Sequence, residues 1–139
     1  MEITANALQT VEANQNVIFT NTVVCGSCSI LHREDSGLIT LRGITNQCRA
    51  RFKVTFGGNI ALPTGGTVGP ISLAIAINGE PVATTTMIET PAAVEEFSNV
   101  FTAIFLDVPA SCCSQISVRN TTGQAIEVQN ANLIVERVA

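Results

Sequence analysis

The sequence contains no Trp and no Tyr, and charged residues make up only 13% of its 139 residues. An average globular protein carries about 25% charged residues, so this chain has few groups with which to keep its surface solvated. One remedy is to bury part of that surface against copies of itself, as obligate oligomers do. The alternative is a monomer coated with uncharged polar residues such as Thr, Asn and Ser.

Cations are scarce: there are 7 Lys and Arg residues, and the formal net charge is −4. Nucleic-acid binding requires clustered cations that neutralise phosphates. The densest cluster, Arg49, Arg51 and Lys53, alternates with apolar residues, as on the solvated face of a strand. The composition therefore argues against a nucleic-acid partner.

Long apolar runs are also missing, because no stretch has the length of a transmembrane helix. Residues 1–4 (MEIT) show neither the basic region nor the apolar region of a signal peptide. We therefore expect no membrane insertion and synthesis in a host cytoplasm, with any release occurring by a route such as lysis.

Short β-prone runs separated by Gly, Pro, Asn and Ser are abundant, and this pattern is typical of a sandwich or barrel. We predict one all-β domain over residues 16–139, preceded by a docking arm over residues 1–15. Asn78-Gly79 predicts a tight hairpin, because this pair accepts positive φ angles, and residues 120–123 (NTTG) predict a second hairpin connection. The predicted strands are Asn16–Thr22, Ser29–Arg33, Gly37–Arg42, Arg49–Leu62, Pro70–Ile77, Pro81–Glu89, Phe97–Val108, Cys113–Asn120 and Ala125–Val138.

One predicted strand has a large face and a small face. Leu73, Ile75 and Ile77 share the face that we expect to fill the core, since alternate residues of a strand point the same way. Ala74 and Ala76 share the opposite face, where small side chains allow another surface to approach closely.

A second predicted strand is apolar on both faces. Phe97, Phe101 and Phe105 point one way, and Ile104 points the other. An antiparallel strand with one solvated face should alternate apolar and polar residues. Since no loop is apolar enough to serve as a lid, we expect another subunit to cover the outer face.

The order of these features resembles the trimeric jelly roll of the tumour necrosis factor and complement globular-head superfamily. The resemblance extends from about residue 16 to residue 138 and is most specific at residues 72–82 (SLAIAINGEPV). It is closest to the bacterial and phage branch, which includes the C-terminal domain of exosporium collagen-like glycoproteins. The resemblance implies a jelly-roll sandwich of about ten antiparallel strands and a homotrimer. The predicted trimer-interface residues are Phe97, Phe101, Ile104, Phe105, Ala74 and Ala76.

The function that this resemblance implies is that of a homotrimeric structural protein on the exterior of a large particle. Since no Gly-X-Y collagen repeat precedes the domain, we favour a bacteriophage virion decoration or head-fibre component, located on the virion, over a spore-surface structural protein. A trimeric carbohydrate- or receptor-binding module, with glycans as partners, is the alternative from a different class.

The chain has 5 cysteines, and Cys25-Gly26-Ser27-Cys28 has the spacing of half a zinc site. Zinc held by Cys25, Cys28, Cys48 and Cys112 is one possibility, and disulfides or free thiols are the others. Counting strand directions places all five at one end of the sandwich. The candidate cross-link cluster is Cys25, Cys28, Cys48, Cys112 and Cys113.

Signals for catalysis are lacking. The single histidine, His32, has no nucleophile on a sharp turn to accompany it. Gly57-Gly58 and Gly65-Gly66 lack the lysine and helix of a phosphate-binding loop. We predict that the protein is not an enzyme and has neither catalytic residues nor a cofactor.

Overall fold

Alternation of buried and exposed residues along the longest strands produces two stacked sheets. In the computed structural model, which describes residues 1–44 and 46–139, every second residue from Ala50 to Ile60 is buried. Successive side chains of a strand point to opposite faces, so each long strand directs one apolar face towards the other sheet. The strands are β1 (Glu2–Ala5), β2 (Gln9–Val11), β3 (Asn21–Val24), β4 (Ile30–His32), β5 (Ile39–Arg42), β6 (Arg49–Ala61), β7 (Ile71–Ile77), β8 (Glu80–Pro81), β9 (Met87–Glu89), β10 (Ser98–Pro109), β11 (Cys113–Asn120) and β12 (Ile126–Arg137).

The twelve strands of the described residues form two antiparallel sheets of six strands. The first has the order β10-β6-β12-β1-β3, with β2 also paired to β12; the second has the order β4-β5-β11-β7-β8, with β9 also paired to β7. This is a jelly-roll β-sandwich, which confirms the predicted fold class. Within residues 1–44 and 46–139, no helix is long and apolar enough to cross a membrane.

The core lies between the two sheets and is built from aliphatic side chains and three phenylalanines. Phe19, Phe52 and Phe56 are fully buried. The rings of Phe19 and Phe56 meet edge to face, with centroids 6.4 Å apart. Each large apolar side chain that is fully buried contributes about 1.5–3 kcal/mol, so burial in the core is what holds the sheets together.

The Asn78-Gly79 turn forms as predicted. Both residues have positive φ angles, 52° and 85°, and the flanking residues Ile77 and Glu80 pair directly. The strand predicted after this turn is interrupted, however. A short 3-10 helix (Ala83–Thr85) lies within the predicted strand. The Thr85 hydroxyl oxygen accepts a hydrogen bond from the Ile75 amide at 3.0 Å, in place of a backbone carbonyl of a neighbouring strand.

The connection that follows Asn120 is not the predicted hairpin, because β11 and β12 belong to different sheets. The buried Asn120 side chain fixes this crossing between sheets. Its amide nitrogen donates to the carbonyls of Val11, Glu12 and Gln124 at 3.0–3.2 Å. Its oxygen accepts from the Thr122 amide at 2.9 Å, so every polar atom of a fully buried side chain has a partner.

The first fifteen residues, predicted as an arm outside the domain, contribute two strands to the first sheet. β1 and β2 both pair with β12, and the amino group of Met1 donates to the Val135 carbonyl at 2.7 Å. Ile3 and Val11 are buried in the core. The structure therefore has no domain boundary at residue 16, and a docking role for this segment stays a prediction.

Candidate subunit interface

The edge strand β10 presents aromatic side chains to solvent. Phe101 and Phe105 are 66% and 62% exposed, and Ala103 lies between them on the same outward face. Val100 and Val108, on the opposite face, are buried. We call the outward side chains of Phe101, Ala103 and Phe105 the phenylalanine face. Large aromatic side chains exposed together on one strand make this face a candidate interaction surface.

The neighbouring strand β6 leaves space beside this face. Gly57 lies directly opposite Phe101, and a Cβ atom added to Gly57 would meet only the Val100 carbonyl oxygen, at 3.9 Å. Packing within the single chain therefore gives no reason for glycine at this position. The adjacent Gly58 differs, since an added Cβ would meet the Phe56 ring at 3.3 Å. The space at Gly57 suits the close approach of a second surface.

Apolar exposure continues across the same sheet to its other edge. Ile134 of β12, opposite Thr55 of β6, is 38% exposed. Val23 and Val24 of the edge strand β3 are 60% and 53% exposed, and Val24 pairs with Glu2 of β1. Sequence analysis missed these three positions. The sequence did contain one indication of this exposed apolar surface. Ile134 is an apolar residue on a strand face that polar residues otherwise occupy.

A ladder of asparagine side chains borders this surface at one end of the sheet. Asn99 donates to Asn59 at 3.1 Å, Asn59 donates to Asn130 at 3.2 Å, and Asn130 donates to Asn6. The ladder joins β10, β6, β12 and the residue that follows β1. These hydrogen bonds fix the polar margin of the surface.

Two arginines and one carboxylate border the surface at the other end. Asp107 of β10 accepts from Arg51 at 2.8 Å and lies 3.0 Å from the Arg49 guanidinium. The hydrogen bond from Arg51, opposed in part by desolvation, holds the pKa of Asp107 below its usual range. The ion pairs of Asp107 with Arg49 and Arg51 are exposed to solvent. They therefore orient these side chains and contribute little to the stability of the fold.

The structure separates the six predicted interface residues into two groups. Phe101 and Phe105 are exposed as described, and Phe97, 39% exposed, precedes β10. Ile104 is half-buried and packs against the core of its own chain, and its assignment to the interface stays a prediction.

Ala74 and Ala76 are unsuitable as contact residues, because both are fully buried within the single chain. Arg119 pairs with Ala74, and its guanidinium donates to the Gly79 carbonyl at 2.7 Å. Arg119 is thus the cross-strand neighbour of Ala74, and Ser117, itself buried, is the cross-strand neighbour of Ala76. The small face predicted to receive another subunit is covered by the chain itself.

Backbone pairing brings four of the five cysteines, Cys28, Cys48, Cys112 and Cys113, to one end of the sandwich, and the place of Cys25 at that end stays a prediction. Cys48 precedes β6 and its carbonyl accepts from the Ala110 amide at 2.9 Å. The Cys112 carbonyl accepts from the Gly43 amide at 2.8 Å, and Cys113 pairs with Arg42. We call the set the cysteine rim: Cys25, Cys28, Cys48, Cys112 and Cys113 are all free and exposed.

The zinc alternative is not assembled in the single chain. Within residues 1–44 and 46–139, no three His, Cys, Asp or Glu side chains come together in a way that could hold a metal ion. His32 takes a structural position: its Nε2 atom lies 2.9 Å from the Ser36 carbonyl oxygen, and its ring packs edge-on against Phe19.

Comparison with known proteins identifies the fold. No protein-family model matches the chain, and no curated protein matches it. The globular domain of the zebrafish complement 1qA protein superposes with a TM-score of 0.64 at 12% identity, covering 96% of this chain and 93% of that one. At this identity the likeness establishes the fold alone, a complement-like jelly roll of the tumour necrosis factor type.

Two further solved structures are more distant. The C-terminal domain of EclA, a sugar-binding protein, has a TM-score of 0.41 at 14% identity, covering 95% of this chain and 80% of that one. The CBM35 of Cellvibrio japonicus Abf62 has a TM-score of 0.40 at 11% identity, covering 100% and 98%. At these scores neither likeness bears on function.

Proposed function

We propose that this chain is a homotrimeric structural protein on the exterior of a large particle, and specifically a decoration or head-fibre component of a bacteriophage virion. The observation that carries the proposal is the phenylalanine face, an aromatic surface on an edge strand that the single chain leaves exposed. Phe101 and Phe105 are 66% and 62% exposed. Their burial between subunits contributes about 1.5–3 kcal/mol for each side chain.

The arrangement of the first sheet supports a closed ring of subunits. Its edge strands β10 and β3 both expose apolar side chains, and Ile134 extends the apolar surface between them. An edge that packs against a different surface of the next copy makes a head-to-tail contact, which either closes into a ring or continues as a fibre. Three copies close the ring in our proposal, and the open space at Gly57 receives side chains of the neighbour.

The particle class depends on the sequence resemblance to the bacterial and phage branch of the superfamily. The low content of charged residues, 13%, supports a protein that works as part of an assembly. Location on the virion and contact with capsid proteins are parts of the same proposal.

Immunogold labelling of particles from a culture that expresses the chain tests this placement. An antibody raised against the purified protein should label density-gradient-purified virions, and mass spectrometry of those virions should detect the chain. Label confined to spore surfaces would support the spore-surface alternative. Label on neither particle would contradict the proposal.

A further inference from the structure

The chain has five exposed thiols, and strand pairing brings four of them to one end of the β-sandwich. They require an explanation other than packing. Cysteine is among the residue types most often buried, where it acts as a small apolar side chain. In this chain all five cysteines are exposed, while the core is filled by aliphatic residues and phenylalanine. The cysteine rim therefore contributes nothing to the core, and its thiols are accessible to other molecules.

Strand register places several of these thiols around one glycine. Arg42 of β5 pairs with Cys113 of the neighbouring strand β11. On the opposite side of β5, the Arg42 amide donates to the carbonyl of Ser29, the residue before β4, at 2.8 Å. The next residue, Gly43, consequently lies between the backbones of Cys28 and Cys112. A Cβ atom on Gly43 would collide with the Pro109 carbonyl oxygen, so glycine is needed for this close approach.

Backbone hydrogen bonds hold the loop that carries Cys112. Ser111 has a positive φ of 65°, and its amide donates to the Gly43 carbonyl at 3.2 Å. The Cys112 amide donates to the Pro109 carbonyl at 3.1 Å. Cys112 is thus presented on a turn that is fastened to two neighbouring segments.

The number of thiols is the second observation. With 5 cysteines, pairing within one chain leaves at least one thiol without a partner, and an odd cysteine indicates either intermolecular pairing or a free reactive thiol. Within the described residues no disulfide joins any of the five. Every copy of the chain carries the same rim, so a rim-to-rim contact supplies both sulfur atoms and is self-complementary.

We propose that the cysteine rim is a covalent attachment site at which two copies of this chain are joined by an intermolecular disulfide. The oxidant is a low-molecular-weight disulfide. A rim thiolate attacks one sulfur of the oxidant, forms a mixed disulfide and releases one small thiol. A rim thiolate of the second copy then attacks the protein sulfur, forms the intermolecular bond and releases the second small thiol. Two protein thiols are oxidised, and one small disulfide is reduced to two thiols.

The first test uses the full chain, reduced, desalted and then incubated with glutathione disulfide in the presence of a chelator. We expect a species of twice the chain mass on denaturing, non-reducing electrophoresis, reversed by dithiothreitol, with cross-linked peptides that join rim cysteines. Monomers that carry only glutathione adducts or intrachain disulfides would overturn the proposal. So would stoichiometric zinc binding that blocks cross-linking when the chelator is replaced by zinc.

A matched control separates a docking site from random collision of thiols. One variant keeps Cys112 and replaces the other four cysteines with Ser; the second replaces all five and adds Gly123→Cys. Gly123 is exposed, has nothing within 4 Å of an added Cβ, and follows the end of β11 that is remote from the rim. We expect the Cys112 variant to cross-link at least tenfold faster at equal concentration. Equal rates would contradict the proposal. Light scattering under reducing conditions reports on the non-covalent trimer separately.

Discussion

At the scale of single residues, the least expected feature is a pair of carboxyl groups, Glu95 and Glu127. Glu127 is only 7% exposed, and its Oε2 atom has no hydrogen-bond partner. Burial raises the pKa of Glu127 above its ordinary value, and the adjacent Glu95 raises it further. Hydrogen bonding from Thr64 lowers the pKa of Glu95. Of the two carboxyl groups, Glu127 is therefore the one that takes up a proton first as the pH falls.

We predict that Glu127→Gln makes stability less dependent on pH. A raised pKa in the folded state contributes stability that is fully present below the unfolded value, about pH 4.3, and is lost as pH rises through the folded pKa. Gln cannot lose a proton. The free energy of unfolding of the variant, measured by urea unfolding, should therefore rise relative to that of wild type as the pH increases from 4 to 8. Glu80→Gln, at an exposed carboxylate, is the control. If the free energies of unfolding of wild type and Glu127→Gln differ by the same amount at every pH, this explanation is contradicted.

Asn120 provides a second prediction at the same scale. Asn120→Ala leaves the carbonyls of Val11, Glu12 and Gln124 without their donor. Each unsatisfied buried group costs about 1–3 kcal/mol, so we expect a loss of about 3 kcal/mol or more in the free energy of unfolding. Asn99→Ala removes an amide from an exposed position and should cost about 0.5 kcal/mol or less. Equal losses in thermal unfolding would show that Asn120 does not fix the crossing between the sheets.

At the scale of elements, β10 gives the clearest separation of folding from assembly. Phe101→Asp changes an outward side chain, so it should leave the fold intact and abolish the trimer, since three buried aromatic contacts are lost together. Ile104→Asp places a charge against the core and should unfold the chain. Circular dichroism and light scattering measure the two outcomes.

Ile88→Asp is the matched control for Phe101→Asp. Ile88 is also 66% exposed, but it lies on β9 in the second sheet. The Ile88→Asp substitution should leave the mass of the oligomer, measured by light scattering, unchanged. If Ile88→Asp dissociates the trimer, or if the Phe101→Asp variant remains a trimer, the interface does not lie on the phenylalanine face.

The elements also show what sequence can and cannot predict. Local patterns were sufficient for the Asn78-Gly79 turn, because it depends on adjacent residues. They also placed Phe101 and Ile104 on opposite faces of one strand, but they did not predict which face points outward. The surroundings of Ala74 could not be predicted, since its neighbour in the sheet, Arg119, lies far along the chain. The missed pairing of β1 with β12 has the same cause, because the two strands stand at opposite ends of the sequence.

At the scale of the whole molecule, the two proposed association surfaces do not compete. The phenylalanine face lies on the broad outer side of the first sheet, and the cysteine rim lies at one end of the sandwich. A ring of subunits formed through the face would leave three rims at the same end of the ring. A disulfide between rims would then join two rings end to end, and reduction would separate them without dissociating either ring.

The absolute mass of the purified protein in solution tests the central claim most directly. Light scattering coupled to size-exclusion chromatography, in reducing buffer and at micromolar concentration, should give about three times the chain mass of 14.6 kDa. The reducing buffer excludes disulfide-linked species, so the result reports on the phenylalanine face alone. A single peak at the mass of one chain would contradict the account.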